Sequence, residues 1–451
     1  MDINTLFTNK RTGNHSATAA SRTDFQRDYD RIIFSSAFRR LQNKTQVFPL
    51  PGSVFVHNRL THSLEVSSVG RSLGSAIGEF IVDSQKSNLA TASQEFYLHH
   101  LKEVVAAACL CHDIGNPAFG HSGEDAIASF FERNESDLKS KFNEKEWADL
   151  LNFEGNANAM RVLTHQQKGK DQGGAQLTYS TLASIAKYPC EAVAKKKGVL
   201  HRKKFGFFQN EKETFLDIAK ETGMIQESKD PVIFKRNPFV WLVEAADDIC
   251  YNIIDMEDAH RLGIVSTSDC ENLFFDLIRS VDSSTERVER KLPSLTNKNE
   301  RISYLRAKVI NSLIVKAIEL YQSNFDAILH GELDQALLSM YQKENPSLQE
   351  IESFSIAKIY NHKAVVEIEN AGYNVMYELL NHFVFPVLKE SSEIKSYDKM
   401  ALKLLPEQFV YADGSSYQKV LGVLDFVSGM TDNYATDIYR KIKGIDIGMT
   451  M

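Results

Sequence analysis

Apolar positions recur at three-to-four-residue spacing along most of the chain, the pattern of helices that bury one face. From Asp24 the residues Phe25, Tyr29, Ile32, Ile33 and Ala37 follow it. Leu60, Leu64, Val69, Leu73, Ile77 and Phe80 form one stripe of a longer helix. The run EVVAAACLC (103–111) predicts a small-residue buried helix, ended by the glycine and proline of HDIGNP. GHSGEDAIASFFE predicts another, with Ser122 as its cap. A strong helix is expected from Pro238 onward, PFVWLVEAADDICYNIIDMEDA, and helical patterns continue to the end.

Two stretches break the pattern. VFPLPGSVFVH (47–57) reads as a small hairpin, and 165–235, with GKDQGG and KKKGVLHRKKFGFF, reads as loops with a mobile basic insertion. The expected fold class is all-α with a minor β-hairpin. Only 10 prolines and 23 glycines in 451 residues agree, because a many-stranded sheet needs turn signals far more often. Three parts are expected: an arm over 1–23 that docks on the body or a neighbouring subunit, a core over 24–265, and a helical region over 266–451.

Charge and cysteine usage narrow the function. Fifty-two basic against 59 acidic residues give a net charge of −7, so no global basic field exists to hold duplex nucleic acid. Cys109, Cys111, Cys190, Cys250 and Cys270 show no paired framework, which suggests a reducing cytoplasm. No 18-residue apolar run occurs and the first residues lack a signal-peptide core, so a soluble chain without membrane contact is expected.

Three separated segments supply metal-type ligands: His62, the pair His112-Asp113, and Asp247. Two imidazoles and two carboxylates suit a borderline-to-hard divalent ion, Mg, Mn, Fe or Zn, and leave positions open for a water or substrate oxygen. His112 and Asp113 follow an apolar run, and Asp247 and Asp248 follow Leu242, Val243, Ala245 and Ala246. Unpaired charge is costly in such surroundings. Asp247, Tyr251 and Asp255 stand at i, i+4 and i+8, one face of a helix and the wall of a polar pocket. Spacing alone leaves open which of Asp247 and Asp248 ligates.

RLTHSLEVS, LCHDIGNPAFGHSGE and EAADDICYNIIDMEDA together resemble the HD-domain superfamily, specifically its deoxyguanosine triphosphate triphosphohydrolase (dGTPase) family. RTDFQRDYDRIIFSSAFRRLQNKTQVF and VLDFVSGMTDNYATDIYRKI extend the resemblance over nearly the whole chain. One departure is Ala118, where many relatives have a second proline, a conservative change.

The resemblance implies an HD-domain helical core and a metal site of His62, His112, Asp113 and Asp247. It favours Asp247 over Asp248 as ligand, because Tyr251 and Asp255 on the same face lie against the deoxyribose in the family. It makes His121 the catalytic acid/base and Glu124, three residues on, its partner. The implied reaction splits a deoxynucleoside triphosphate, dGTP first, into deoxynucleoside and inorganic triphosphate. A triphosphate needs cations, and Arg59, Lys187, Lys203 and Lys204 are the candidates; Gln46 matches a family position near sugar and base. The resemblance also implies a divalent metal cofactor (Mg or Mn, with Fe, Zn and Ni as others) and a homo-oligomer, hexamer or tetramer, with C-terminal helices in its contacts. A regulatory nucleotide or single-stranded DNA controls some members.

Two rivals differ in class. An HD phosphohydrolase of another nucleotide, a guanosine tetraphosphate or a monophosphate, would release no triphosphate. A nucleic-acid-binding regulator with a relict site would bind no metal.

Overall fold

The computed structural model describes residues 1–13, 22–48, 56–166, 172–281 and 285–448. The elements that place the site are all helices: α1 (Asp24–Ile33), α2 (Arg59–Gln85), α3 (Leu101–Cys111), α4 (Gly120–Arg133), α5 (Gly155–Thr164), α6 (Val240–Arg261), α7 (Lys298–Ser323), α8 (Lys363–Leu388), α9 (Ser416–Ser428) and α10 (Asp432–Ile442). The one sheet among the described residues is a two-stranded antiparallel ribbon, β1 (Gln226–Lys229) and β2 (Val232–Phe234). The all-α fold class therefore holds. The hairpin expected at 47–57 has its centre outside the described residues, and the ribbon lies in the stretch expected as loops.

One apolar core packs α2, α3, α6 and α7 together, with Leu73, Ile77, Val104, Val105, Ile249, Ile253, Val309 and Leu313 all at its centre. Of the predicted stripe of α2, Val69, Leu73 and Ile77 are buried, Leu60 and Phe80 are half-buried, and Leu64 is 39% exposed. The tight face of α2 is set by Gly70, Gly74 and Gly78, one turn apart. A Cβ on them would meet Cys109 Sγ at 2.4 Å, the Lys102 Cα at 2.8 Å and the Tyr97 carbonyl oxygen at 2.0 Å. Glycine there lets α2 lie against α3 and the turn before it at near-backbone contact, which close-packed interiors exploit.

A second core joins α4 to the C-terminal helices through Ile127, Phe130, Leu379, Phe383, Leu421 and Leu424. Buried Arg161 on α5 ties the same region down, its guanidinium 2.7 Å from each carboxylate oxygen of Asp425 and from Glu211. Residues 172–235 carry short helices and 3₁₀ turns as well as the ribbon, and Phe205, Phe207 and Phe208 in it are fully buried. At the start of the chain Ile3 and Leu6 are buried, Phe7 stacks on Phe96, and the Tyr97 hydroxyl donates to the Ile3 carbonyl at 2.6 Å. The arm is thus docked on the body over these residues. Ser122 does not cap α4: the helix begins at Gly120, and the serine hydroxyl donates instead to the Glu369 carbonyl of α8 at 2.6 Å.

Candidate metal centre and nucleotide pocket

The two cores meet at a cavity of about 630 Å³. The end of α3 brings His112 and Asp113 to it and α6 brings Asp247, while His62 of α2 is buried behind them, beside Asp247. Ligand atoms of His62, His112 and Asp247 all lie within 4.8 Å of one another. His62 Nε2 is 3.2 Å and His112 Nε2 3.5 Å from Asp247 Oδ1.

The donor chemistry fits a divalent cation. His112 Nδ1 lies 2.7 Å from the Cys109 carbonyl oxygen, to which it must donate a proton, so in the neutral ring that a metal would bind the lone pair is on Nε2. That Nε2 is buried with no hydrogen-bond partner, and it lies within 4.8 Å of the ligand atoms of the other two groups. Burial would raise the Asp247 carboxyl, but His112 and His62 outweigh it and hold it down at about 2, so it is an anion. Asp248, next along, has its carboxyl pushed up to about 7, by burial first and then by Glu244 and Asp247. The geometry thus groups Asp247, not Asp248, with the histidines.

Asp113 stands beside the three rather than among them. Its Oδ2 is 3.4 Å from His112 Nε2 but accepts from Arg59 Nη1 at 2.6 Å, while its Oδ1 accepts from Asn116 Nδ2 at 2.6 Å. Arg59, expected as a triphosphate contact, is therefore paired with Asp113 here.

On the α4 side His121 Nδ1 is 2.9 Å from Glu124 Oε2, and the His121 side chain is 80% exposed at the cavity rim. Glu124 is buried, and its other oxygen accepts the Gly155 N–H at 2.7 Å. The hydrogen bond to Glu124 raises the His121 pKa above its ordinary value despite partial burial. Burial works against the Glu124 anion, but His121 and Lys204 keep its pKa low.

Lys187, Lys203 and Lys204 all line the cavity. Lys187 Nζ is 3.2 Å from Glu244 and Lys204 Nζ is 2.8 Å from Glu154, so both charges are balanced by carboxylates. Gln46 also lines it, with a buried Oε1 that has no partner. Tyr251 is on the wall as expected, whereas Asp255, one turn further along α6, is buried and accepts the Tyr360 hydroxyl at 2.8 Å. The Tyr360 ring stacks on Tyr251, centroids 5.7 Å apart.

Tyr360 and Glu369 are cavity residues that reasoning from sequence missed. Both belong to a helical stretch whose pattern resembles any amphipathic surface helix, and nothing local marks them. The lysines' partners Glu154 and Glu244 were equally silent.

Family models match twice: the HD domain over residues 59–171 and the phosphohydrolase-associated domain over 338–441. A Synechocystis protein described as deoxyguanosinetriphosphate triphosphohydrolase-like is 38% identical, with 94% of this chain and 95% of that protein covered. A Pseudomonas aeruginosa protein of the same description is 37% identical over 98% and 99%. The deoxyguanosinetriphosphate triphosphohydrolase of Yersinia enterocolitica is 30% identical over 93% of each. No helix among the described residues is long and apolar enough to cross a membrane.

Proposed function

Because the chain belongs to the dGTPase family of the HD-domain superfamily, we propose that it is a metal-dependent hydrolase that splits a deoxynucleoside triphosphate, dGTP first, into deoxynucleoside and inorganic triphosphate. The observation that carries the reading is the cluster of His62, His112 and Asp247, two of which line a cavity that also holds His121, basic side chains and aromatic rings.

His62, His112 and Asp247, with Asp113 beside them, would hold a divalent ion, which when bound would supply Lewis-acid chemistry at the substrate phosphate. Arg59, Lys187, Lys203 and Lys204 hold the triphosphate and offset its negative charge. The bond broken joins the α-phosphorus to the sugar 5′ oxygen, and the bond formed joins that phosphorus to the water oxygen. The departing 5′ alkoxide needs a proton, and His121, kept protonated by Glu124, donates it. The stacked Tyr251 and Tyr360 rings close on the flat of the deoxyribose, where a ribose 2′ hydroxyl would be buried without a partner. Gln46 lies on the sugar and base side of the same space.

Incubation of the protein with each dNTP and Mn²⁺ or Mg²⁺, followed by separation of the products, tests the reading. Inorganic triphosphate in step with deoxyguanosine is the expected result. Pyrophosphate or monophosphate as product would move the chain to another HD phosphohydrolase activity.

A further inference from the structure

Asp432, the first residue of α10, is 1% exposed, and its carboxylate bonds to residues 313 and 387 positions away in the sequence. Its Oδ1 accepts the Phe119 N–H at 3.0 Å. Its Oδ2 accepts the Thr45 N–H at 2.8 Å and also the Thr45 hydroxyl. One carboxylate thus holds two backbone segments, one residue before Gln46 and two before His121. Both Gln46 and His121 line the cavity.

A second tie runs parallel to it. The buried Lys44 ammonium donates to the carbonyls of Asn116 and Ser428, and Asn158 Nδ2 donates to the Gly115 carbonyl at 2.7 Å and the Ser428 hydroxyl at 3.1 Å. The end of α9 and the start of α10 therefore grip both ends of the loop 115–119.

Phe119 needs such support. Its φ of 60° is in the left-handed region, which a bulky L residue adopts only when its surroundings impose it. Its ring fills the space over Gly372 of α8, where a Cβ would come within 2.4 Å of the Phe119 Cγ. A buried carboxylate is a costly way to fasten a loop that apolar packing could fasten, so its directional hydrogen bonds are the gain.

We infer that Asp432 is a positioning residue for His121, setting the backbone turn from which the histidine projects and so coupling the C-terminal helices to proton delivery. The inference rests on the reaction proposed above.

Asp432→Asn tests it with little change in volume. An amide can accept on one side only, so its NH₂ must face either the Phe119 or the Thr45 N–H. Hydrogen exchange is expected to quicken in peptides over 41–47 and 114–121 while those from α2 and α6 stay unchanged. With metal content unchanged, kcat should fall about 10- to 100-fold, the scale of a misplaced catalytic group. In a His121→Ala background the same change should cost no more than about 2-fold, since its effect passes through the histidine.

Unchanged exchange at 114–121 would overturn the inference whatever the enzyme turns over. Additive losses in the double variant would overturn it too, leaving Asp432 a stabilising contact. A wild-type protein inert toward every dNTP would instead sink the proposed reaction, and the exchange data would still decide whether Asp432 holds the turn.

Discussion

His121 and Glu124 lie one turn apart on the first turn of α4, ring nitrogen to carboxylate 2.9 Å, with the histidine exposed at the rim and the glutamate buried behind it. The pair is a proton store: the buried anion cannot leave, and it keeps the imidazole charged to higher pH than an isolated histidine. A raised histidine pKa preserves the acid form upward in pH, so activity that needs this proton falls only as pH rises through the raised value. Glu124→Gln should therefore move the alkaline limb of the kcat profile to lower pH, measurable by steady-state rates between pH 6 and 9 on the scale of ordinary histidine titration, about 6.5. An unmoved limb would mean that another group sets it.

Removing His121 itself should cost more. His121→Ala is expected to lower kcat by about 10²–10⁴ while bound metal, counted by mass spectrometry, stays at the wild-type level. Metal lost in step with activity would place the histidine in the coordination set.

The metal site makes a converse prediction. His112→Ala and Asp247→Ala should each abolish metal binding and turnover, with the helical circular dichroism intact because neither side chain carries the core. Chelation of the wild-type protein should reproduce the loss and added Mn²⁺ restore it. Full metal occupancy in His112→Ala would refute the assignment.

Sugar discrimination is expected at Tyr251. Tyr251→Ala should narrow the dGTP/GTP ratio of kcat/KM by about 10-fold, within the cost of about 1–3 kcal/mol for one buried unpaired hydroxyl. Asp255 is engaged by Tyr360, so Asp255→Ala should weaken dGTP more than its dideoxy analogue only where the tyrosine yields the carboxylate to a 3′ hydroxyl. Equal effects on the two nucleotides would confine Asp255 to holding Tyr360.

The glycine face of α2 is open to a stability test. Gly70→Ala should cost about 1–3 kcal/mol, the usual price of overpacking, since its Cβ would stand 2.4 Å from Cys109 Sγ. Cys109→Ala in the same chain should recover most of it in thermal unfolding. A double variant no more stable than Gly70→Ala would show that the strain lies in the backbone.

The helices were legible in sequence from their apolar periodicity. His112, Asp113 and Asp247 stood out as candidate ligands because each follows an apolar run, where a bare polar group is costly; His62 has no such run before it. His62, His112 and Asp247 lie together in the fold, with Asp113 beside them. Asp255 read as a pocket acid because α6 puts it on the face of Asp247 and Tyr251, but the tyrosine that occupies it comes from 105 residues away. Lys187 and Lys204 were visible as charges and their carboxylate partners were not, because pairing across a fold leaves no mark at either position. Ser122 had the composition of a cap, yet α4 starts two residues earlier, on the left-handed turn at Phe119.

All five thiols of the chain are buried and free, and burial raises the pKa of each above the ordinary cysteine value. Such thiols are slow nucleophiles while the fold stands. A cysteine placed at exposed Lys203, on the cavity rim, would react with a maleimide dye long before the native five. The native sequence is thereby a ready background for single-site fluorescent labelling, with no need to strip out its own cysteines first.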